Sequence, residues 1–484
     1  MSPRRRLALH LAALVAARAL TTVYAWHAGF HALSDDDFAR VVIAQQFAAS
    51  PRLDPSGTSW LPAPFWATGS LMMVLGDSLT VARALALVAA CVASVALYLA
   101  ARTAGSRPRA AFLGSLVATA MPLSVFTGAA TVPELPTATL AASALLLVRR
   151  QELVFGLAAG AAILPATLAR YEVWPVAVIV ALATGLRGPR ARASTQHAAG
   201  PSCRFALRSA GCALPLLGPL AWIGWNAHAH GDPLHFHGRV SSFLSAYSAQ
   251  HAVPLNAWLG GYPRTLLLDT PAATLLALVA IATSSRRTLR SWGLPAFGLL
   301  VAVLGLTLAA GTGGAPTHHP ERPLLMVWLV AWIAVADMFD NARPSLARPA
   351  VAVWLLTSVA LLLSFGLRIH RTARTYGMDR SDELALGHWL SSHAEGNVLM
   401  EPIDYGYLAV EAAMARPGGL RLTRSVDPRT APAASPMADP TLLRDALRDA
   451  DANWLVVPTT HASGTTTLGQ ERHRIGSWSV VAIH

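Results

Sequence analysis

The chain has 484 residues, of which 54% are apolar and only 13% are charged. Because a water-soluble globular protein carries roughly a quarter charged residues, this composition excludes an ordinary soluble enzyme. The formal net charge is +12, but the arginines that produce it are spread over short loops between apolar segments, so the charge does not indicate a nucleic-acid partner.

Apolar segments recur along the chain as far as residue 367, and most are long enough to cross the hydrocarbon core of a bilayer. We count about eleven: 8–28, 79–100, 110–128, 135–149, 153–169, 173–186, 209–226, 265–283, 291–310, 322–339 and 349–367. The sequence therefore predicts an α-helical polytopic membrane protein with about 11 transmembrane helices.

The loop charges predict the orientation of these helices. With Arg4, Arg5 and Arg6 in the cytoplasm, the inner loops hold eighteen arginines before residue 368 and the outer loops hold six. Such an excess is typical of cytoplasmic loops, so we expect a multi-pass protein of the inner (cytoplasmic) membrane with a cytoplasmic N-terminus. Ten of the thirteen acidic residues in the same region fall outside, which places the side chains able to do chemistry on the outer face.

The first long outer loop, 29–78, opens with the stretch "HALSDDDFAR". Ser34 and Asp35 are good helix N-caps, and a cap with solvated charge is one interpretation of the stretch. Three adjacent carboxylates repel one another, however, so we also interpret Asp35, Asp36 and Asp37 as the source of a general base. A second carboxylate would then tune the pKa of the base or hold a divalent metal ion. The residues that follow have helical spacing and predict an amphipathic helix in the membrane interface.

Further candidate residues lie where later spans meet the outer surface. Arg170, Tyr171 and Glu172 end one apolar segment. They are either an interfacial anchor or a phosphate site in which Arg170 binds two oxygens at once. Arg322 allows the same two interpretations. The preceding residues His318, His319 and Glu321 suggest a metal site, although their spacing fits no standard zinc signature.

The second long outer loop, 227–264, is rich in histidine and holds Arg239. We interpret most of this loop as a solvated surface, with Arg239 as a candidate contact to phosphate or to an anionic acceptor. Arg18 and Arg83, near the ends of spans, are interpreted as side chains that extend to the interface.

From residue 368 the composition changes to that of a soluble domain. "DELALGHWLSSHA", "YGYLAVEAAMA" and "TLLRDALRDA" have helical periodicity, whereas "NVLMEP", "NWLVVP" and "WSVVAIH" are typical of strands. We expect a membrane domain over 1–367 and a small α/β domain over 368–484. An odd number of spans places the second domain outside the cytoplasm.

Several segments together resemble the GT-C superfamily of integral-membrane glycosyltransferases. "SDDDFARVVIAQQFAASPRLDPSGTSWLPAPFW" is similar to the family's first outer loop, which carries an acidic pair, an amphipathic helix and a return to the membrane rich in proline and aromatic residues. Later segments that resemble the family, in its order, are "TVPELPTATLAASALLLVRR", "GAAILPATLARYEVWP", "GDPLHFHGRV" and "HHPERPLLMVWLVAWIAVAD". The resemblance extends to members of the protein mannosyltransferase and aminoarabinose transferase type.

The resemblance implies an inverting glycosyltransferase that moves a sugar from a polyprenyl-phosphate donor to a hydroxyl acceptor on the outer face. The acidic pair maps onto Asp35 and Asp36, either of which would be the base. The residues expected at the donor phosphate are Arg170, Tyr171, Glu172, Arg322 and Arg239. Those expected at the rim of the site are Asp37, Glu134, His318, His319 and Glu321.

Several partners and two other functions stay open at this point. The sugar, the acceptor (lipid, glycan or protein) and a requirement for a divalent metal ion are not identified, while contact with membrane lipids is expected. A membrane transporter or flippase would need ionisable groups along a central path. A non-catalytic scaffold of envelope assembly would need no site at all.

Overall fold

The computed structural model describes residues 2–186, 201–250, 255–314, 319–462 and 467–483. Up to residue 372 the described chain is helical. In chain order the helices are α1 Pro3–His27, α2 Asp35–Ala49, α3 Ala63–Leu75, α4 Leu79–Thr103, α5 Pro108–Ala120, α6 Pro122–Ala129, α7 Glu134–Leu147, α8 Leu153–Thr167, α9 Trp174–Gly185, α10 Pro201–His230, α11 His235–Gln250, α12 Leu255–Leu268, α13 Pro271–Thr283, α14 Arg286–Gly311, α15 Leu325–Asp340 and α16 Ala347–Thr372.

Five of these helices are long and apolar enough to cross a membrane, namely α1, α4, α10, α14 and α16. Two predicted spans are each broken into a bent pair: α5 and α6 meet at 65°, and α12 and α13 at 79°. Pro122 and Pro271 begin the second helix of each pair, where the missing proline N–H breaks the helical hydrogen-bond ladder. The predicted class, a polytopic helical membrane protein, is confirmed.

The number of crossings stays a prediction. The apolar helices α3, α7, α8 and α9 have 12 to 15 residues. A helix of that length rises only about 18–23 Å, which is less than the roughly 30 Å of the hydrocarbon core. These helices therefore reach across only part of a bilayer unless neighbouring residues extend them.

The membrane core forms around α15, which is buried on nearly all sides between α5, α7 and α13. Helices α5 and α15 approach closely at Gly114, where an added Cβ would lie 2.9 Å from the Trp332 carbonyl oxygen. Only glycine fits there without displacing a backbone.

Arg18 on α1 differs from the sequence interpretation. It is fully buried, and its guanidinium donates to the Ser94 hydroxyl at 3.3 Å and to the Ser124 carbonyl at 2.8 Å. The interpretation as a side chain that extends to the membrane interface is therefore wrong, because α4 and α6 cover this face of α1.

The C-terminal region is the small α/β domain expected from the sequence. Its elements are α17 Ser381–His393, β1 Asn397–Met400, α18 Tyr407–Met414, β2 Leu420–Leu422, α19 Pro440–Asp449, β3 Ala452–Pro458, β4 Gly469–Ile475 and β5 Trp478–Ile483. The sheet order is β2-β1-β3-β5-β4, in which β2, β1 and β3 are parallel and β5 and β4 are antiparallel additions. Strands β2 and β4 were not predicted, since β2 has three residues and β4 is mostly polar and exposed.

The C-terminal domain docks directly on α2. Phe38 and Val42 of α2 belong to the same buried apolar cluster as Ala409 and Ala412 of α18. The side-chain amide of Gln45 donates to the Ala412 carbonyl at 3.0 Å. Helix α2 thus lies between α3 and α18 rather than on an open membrane surface, and this packing fixes the start of the helix.

Candidate active site

The three aspartates form the first turn of α2, after the N-cap residue Ser34. Negative charge is favourable at this end because of the helix dipole. Successive residues of a helix point about 100° apart, so the three carboxylates face three different surroundings.

Asp35 faces the C-terminal domain and is paired with Arg380. The Arg380 guanidinium donates from Nε and Nη2 to the two Asp35 oxygens, each at 3.0 Å, and donates also to Asp404 at 3.0 Å. Burial opposes the charge on Arg380, but the carboxylates of Asp35 and Asp404 hold its pKa above the ordinary value. Asp35 is thereby engaged in holding the C-terminal domain on α2.

Asp37 faces inward and is buried. Its carboxylate accepts backbone N–H groups from Leu33 and Ser34, each at 3.2 Å, and from Thr131 at 3.1 Å. Burial raises the pKa of Asp37 to about 6, against the opposing effects of Arg322 and of the Ser34 and Thr131 N–H groups. Asp37 therefore fixes the start of α2 to the segment that precedes α7.

Asp36 is the accessible member of the three. Its side chain is 43% exposed, and one oxygen lies 3.5 Å from Nη1 of Arg322. A carboxylate in this state is available to a substrate, whereas those of Asp35 and Asp37 are already engaged.

Glu134, the first residue of α7, orients two arginines. One of its oxygens accepts from Arg322 Nε at 2.9 Å and Nη2 at 2.5 Å, and from Arg170 Nη1 at 2.8 Å. Its other oxygen is buried and has no hydrogen-bond partner in the described part of the chain. Arg322 precedes α15 and Arg170 follows α8, so Glu134 joins three separate parts of the helix bundle.

Arg170 is also paired with Glu172, at 2.6 Å. The neighbouring Tyr171 has a different role, since its hydroxyl donates to the Ser59 carbonyl at 2.7 Å and its ring stacks on Phe236 at 4.7 Å. Tyr171 thus joins the loop between α2 and α3 to α11, next to Arg170.

Five of the predicted site residues form one continuous series of ion pairs. The series runs Asp36, Arg322, Glu134, Arg170 and Glu172. It places an accessible carboxylate beside guanidinium groups at one end of the helix bundle, an arrangement that can accept a proton and stabilise an anion.

The other predicted residues lie outside this series. His319 contacts Glu321 at 3.3 Å, and Tyr376 donates to the same Glu321 oxygen at 3.3 Å. Arg239 is half-buried on α11 and has no ion pair with the series. His318 lies outside the described residues. Within the ranges that the structure describes, no three His, Cys, Asp or Glu side chains are grouped to hold a metal ion, and a divalent metal ion stays a prediction from the sequence.

Two basic residues near the site were not identified from the sequence. Arg380 carries no local signal, because its partner Asp35 lies 345 positions earlier. Arg40 lies one helical turn after Asp36 and is buried against Trp60, with 4.4 Å between its guanidinium carbon and the ring centroid. The spacing of four residues on a predicted helix is a signal that could have placed Arg40 beside Asp36.

Comparison with known proteins gives the fold. No protein family and no curated protein matches the chain by sequence. The structure of ArnT from Cupriavidus metallidurans bound to undecaprenyl phosphate matches 99% of this chain and 98% of its own, with a TM-score of 0.60 and 14% identity. AglB from Archaeoglobus fulgidus, an oligosaccharyltransferase in complex with an inhibitory peptide and a dolichol-phosphate, matches 93% of this chain and 69% of its own, with a TM-score of 0.54 and 13% identity. A second AglB structure, in complex with Zn and sulfate, matches with the same TM-score and identity. The expected fold is confirmed, since the chain shares the fold of the ArnT and AglB structures over more than nine-tenths of its length.

Proposed function

We propose that the protein is a glycosyltransferase that moves a sugar from a polyprenyl-phosphate donor to a hydroxyl acceptor on the outer face of the inner membrane. The fold supports this function, since two of the solved structures that share it hold undecaprenyl phosphate or dolichol-phosphate. The observation that carries the proposal is the position of Asp36, an accessible carboxylate at the end of a series of ion pairs that contains two oriented arginines.

In the proposed reaction Asp36 accepts the proton of the acceptor hydroxyl. The acceptor oxygen forms a bond to the anomeric carbon, the bond from that carbon to the phosphate oxygen breaks, and the electron pair remains on the phosphate. A single displacement of this kind inverts the anomeric carbon. Arg322 and Arg170, held in place by Glu134, stabilise the charge that develops on the leaving phosphate.

The charges of the site balance through this reaction. The series of ion pairs and Arg40 together contribute six groups whose charges sum to zero when all are ionised, namely Arg40, Arg170, Arg322, Asp36, Glu134 and Glu172. When Asp36 takes a proton, the site gains one positive charge as the leaving phosphate gains one negative charge. The proton transfer to Asp36 therefore leaves the site with a net positive charge at the moment when the leaving phosphate becomes more negative.

The experiment is a transfer assay with the purified full-length protein, a panel of labelled polyprenyl-phosphate sugars, and lipid, glycan and peptide acceptors. Asp36→Asn keeps the size of the side chain but removes the base, so we expect a loss of about 10²–10⁴ in rate. Asp232→Asn is the matched control, because Asp232 is exposed and, within the described residues, its side chain accepts a hydrogen bond from the Leu234 N–H alone, at 2.9 Å. Equal rates in the Asp36 variant and the wild type would contradict the assignment of the base. Absence of transfer from every donor would contradict the proposed function.

A further inference from the structure

Arg40 is a buried arginine that lacks an anionic partner. It is 7% exposed, and in the described ranges of the chain its guanidinium forms neither a hydrogen bond nor an ion pair. The equally buried Arg322 and the somewhat more exposed Arg170 both donate to Glu134. A buried charge without a partner opposes folding, so its retention requires another reason.

Aromatic side chains hold Arg40 in place. Its guanidinium carbon lies 4.4 Å from the centroid of Trp60 and 5.7 Å from that of Phe65. The segment that carries Trp60 is itself fastened, since Ser56 donates to the Trp60 carbonyl at 3.1 Å and Tyr171 donates to the adjacent Ser59 carbonyl. Stacking of this kind fixes the plane of a guanidinium and leaves its N–H groups free to donate.

Arg40 lies beside the charged groups of the candidate active site. Arg40 lies four residues after Asp36, on the same face of α2. The charges of Glu134, Asp36, Arg170 and Arg322 all act on it. Arg322 and Arg170 donate hydrogen bonds to Glu134. In the described part of the chain the Arg40 guanidinium donates to no acceptor, so its N–H groups remain free for a ligand.

We propose that Arg40 binds the phosphate of the polyprenyl donor through two parallel N–H donors, with Trp60 as the platform that keeps the guanidinium in plane. This inference rests on the proposed function and deepens it, because it names the residue that recognises the charged group of the donor. A planar guanidinium suits a phosphate, which offers two oxygens at matching spacing. A bound phosphate would be an anionic partner for Arg40, which forms no ion pair within the described part of the chain.

The proposal predicts an unusual pattern of stability. Arg40→Met removes an unpaired buried charge and retains the contact with Trp60. The melting temperature of the unliganded variant should therefore equal or exceed that of the wild type, while its response to the donor phosphate is lost. A purely structural role for Arg40 would give the opposite result in the unliganded protein.

The experiment measures binding to the full-length protein in detergent with three probes: undecaprenyl phosphate, the uncharged alcohol undecaprenol and inorganic phosphate. We expect Arg40→Met to bind undecaprenyl phosphate about 10- to 100-fold more weakly than the wild type, because the variant lacks a charge-assisted hydrogen-bonded contact. Both proteins should bind undecaprenol equally well. Arg52→Met is the matched control, because Arg52 is an exposed arginine of the same outer loop that donates only to the Pro55 carbonyl. Arg40→Lys, which keeps the charge but lacks the two parallel donors, should lose about 10-fold or more and serves if the Met variant does not fold.

Wild-type affinity for undecaprenyl phosphate in the Arg40 variants would overturn this inference and leave the proposed function intact. Equal affinity of the wild type for undecaprenyl phosphate and undecaprenol would overturn both. Binding of inorganic phosphate as tight as that of the lipid phosphate would overturn the assignment to the donor.

Discussion

The ion pair between Asp35 and Arg380 is expected to hold the C-terminal domain on the start of α2. Both Asp35 oxygens accept from Arg380 at 3.0 Å, and the Asp35 side chain is only 16% exposed. Asp404 contacts the same guanidinium at 3.0 Å but is 49% exposed. We therefore expect a coupling energy of about 1–3 kcal/mol between Asp35 and Arg380, typical of a partly buried charge-assisted pair. The coupling between Asp404 and Arg380 should be below about 1 kcal/mol, because water screens the more exposed carboxylate.

Two double-mutant cycles measure these energies, with Asp35→Asn, Asp404→Asn and Arg380→Gln singly and in pairs. The observable is the free energy of local opening of α18, obtained from hydrogen exchange of its amide groups in the full-length protein. Arg380→Gln alone should have the largest effect, since it also leaves Asp404 unpaired. The cycle subtracts the effect of Asp35 on the helix dipole, which is present with or without Arg380. A coupling near zero for Asp35, or a larger one for Asp404, would refute the reasoning.

Two further predictions concern pH and topology. Because burial raises the pKa of Asp37 to about 6, above its value of roughly 3.9 in an unfolded chain, the folded protein retains a proton that the unfolded chain releases between about pH 4 and 6. The free energy of unfolding of the wild type relative to Asp37→Asn should therefore fall by roughly 3 kcal/mol at most as the pH rises through this window, and should not change with pH on either side. Thermal unfolding of both proteins in detergent measures this difference. Parallel pH curves for the two proteins would be evidence against the shifted pKa. An alkaline phosphatase fused after residue 484 should be active, since the arginine asymmetry and an odd number of spans place the C-terminal domain outside the cytoplasm, and an inactive fusion would reverse the predicted orientation.

Composition and apolar periodicity sufficed to predict the fold class, because a bilayer imposes its thickness and dielectric on every span. The candidate residues Asp36, Arg170 and Arg322 were identified from their polarity at the predicted outer ends of spans, and Glu134 was identified from the resemblance to the GT-C superfamily. Their mutual contacts were not predictable, since Glu134 and Arg322 are 188 positions apart and meet only through the packing of α7 and α15.

Other features depended on which face of a helix meets its neighbours, which hydropathy does not show. Arg18 has an ordinary position in an apolar helix, yet α4 and α6 enclose it. Arg40 was counted only as one arginine of an outer loop, because its stacking on Trp60 requires the return of the chain some twenty residues later. The separate roles of Asp35 and Asp37 required the positions of Arg380 and Thr131.

The docking of α18 on α2 has a consequence for the order in which the molecule is assembled. Helix α2 is synthesised near the start of the chain, whereas Arg380 and α18 are synthesised only after α16. Until the C-terminal segment is made, Phe38 and Val42 lack their partners on α18 and Asp35 lacks its guanidinium. A chain that stops before residue 380 would form its apolar helices with the start of α2 unsupported. Formation of the helix bundle and completion of the site are thus expected to be separate events in biogenesis, and the second requires the C-terminal domain.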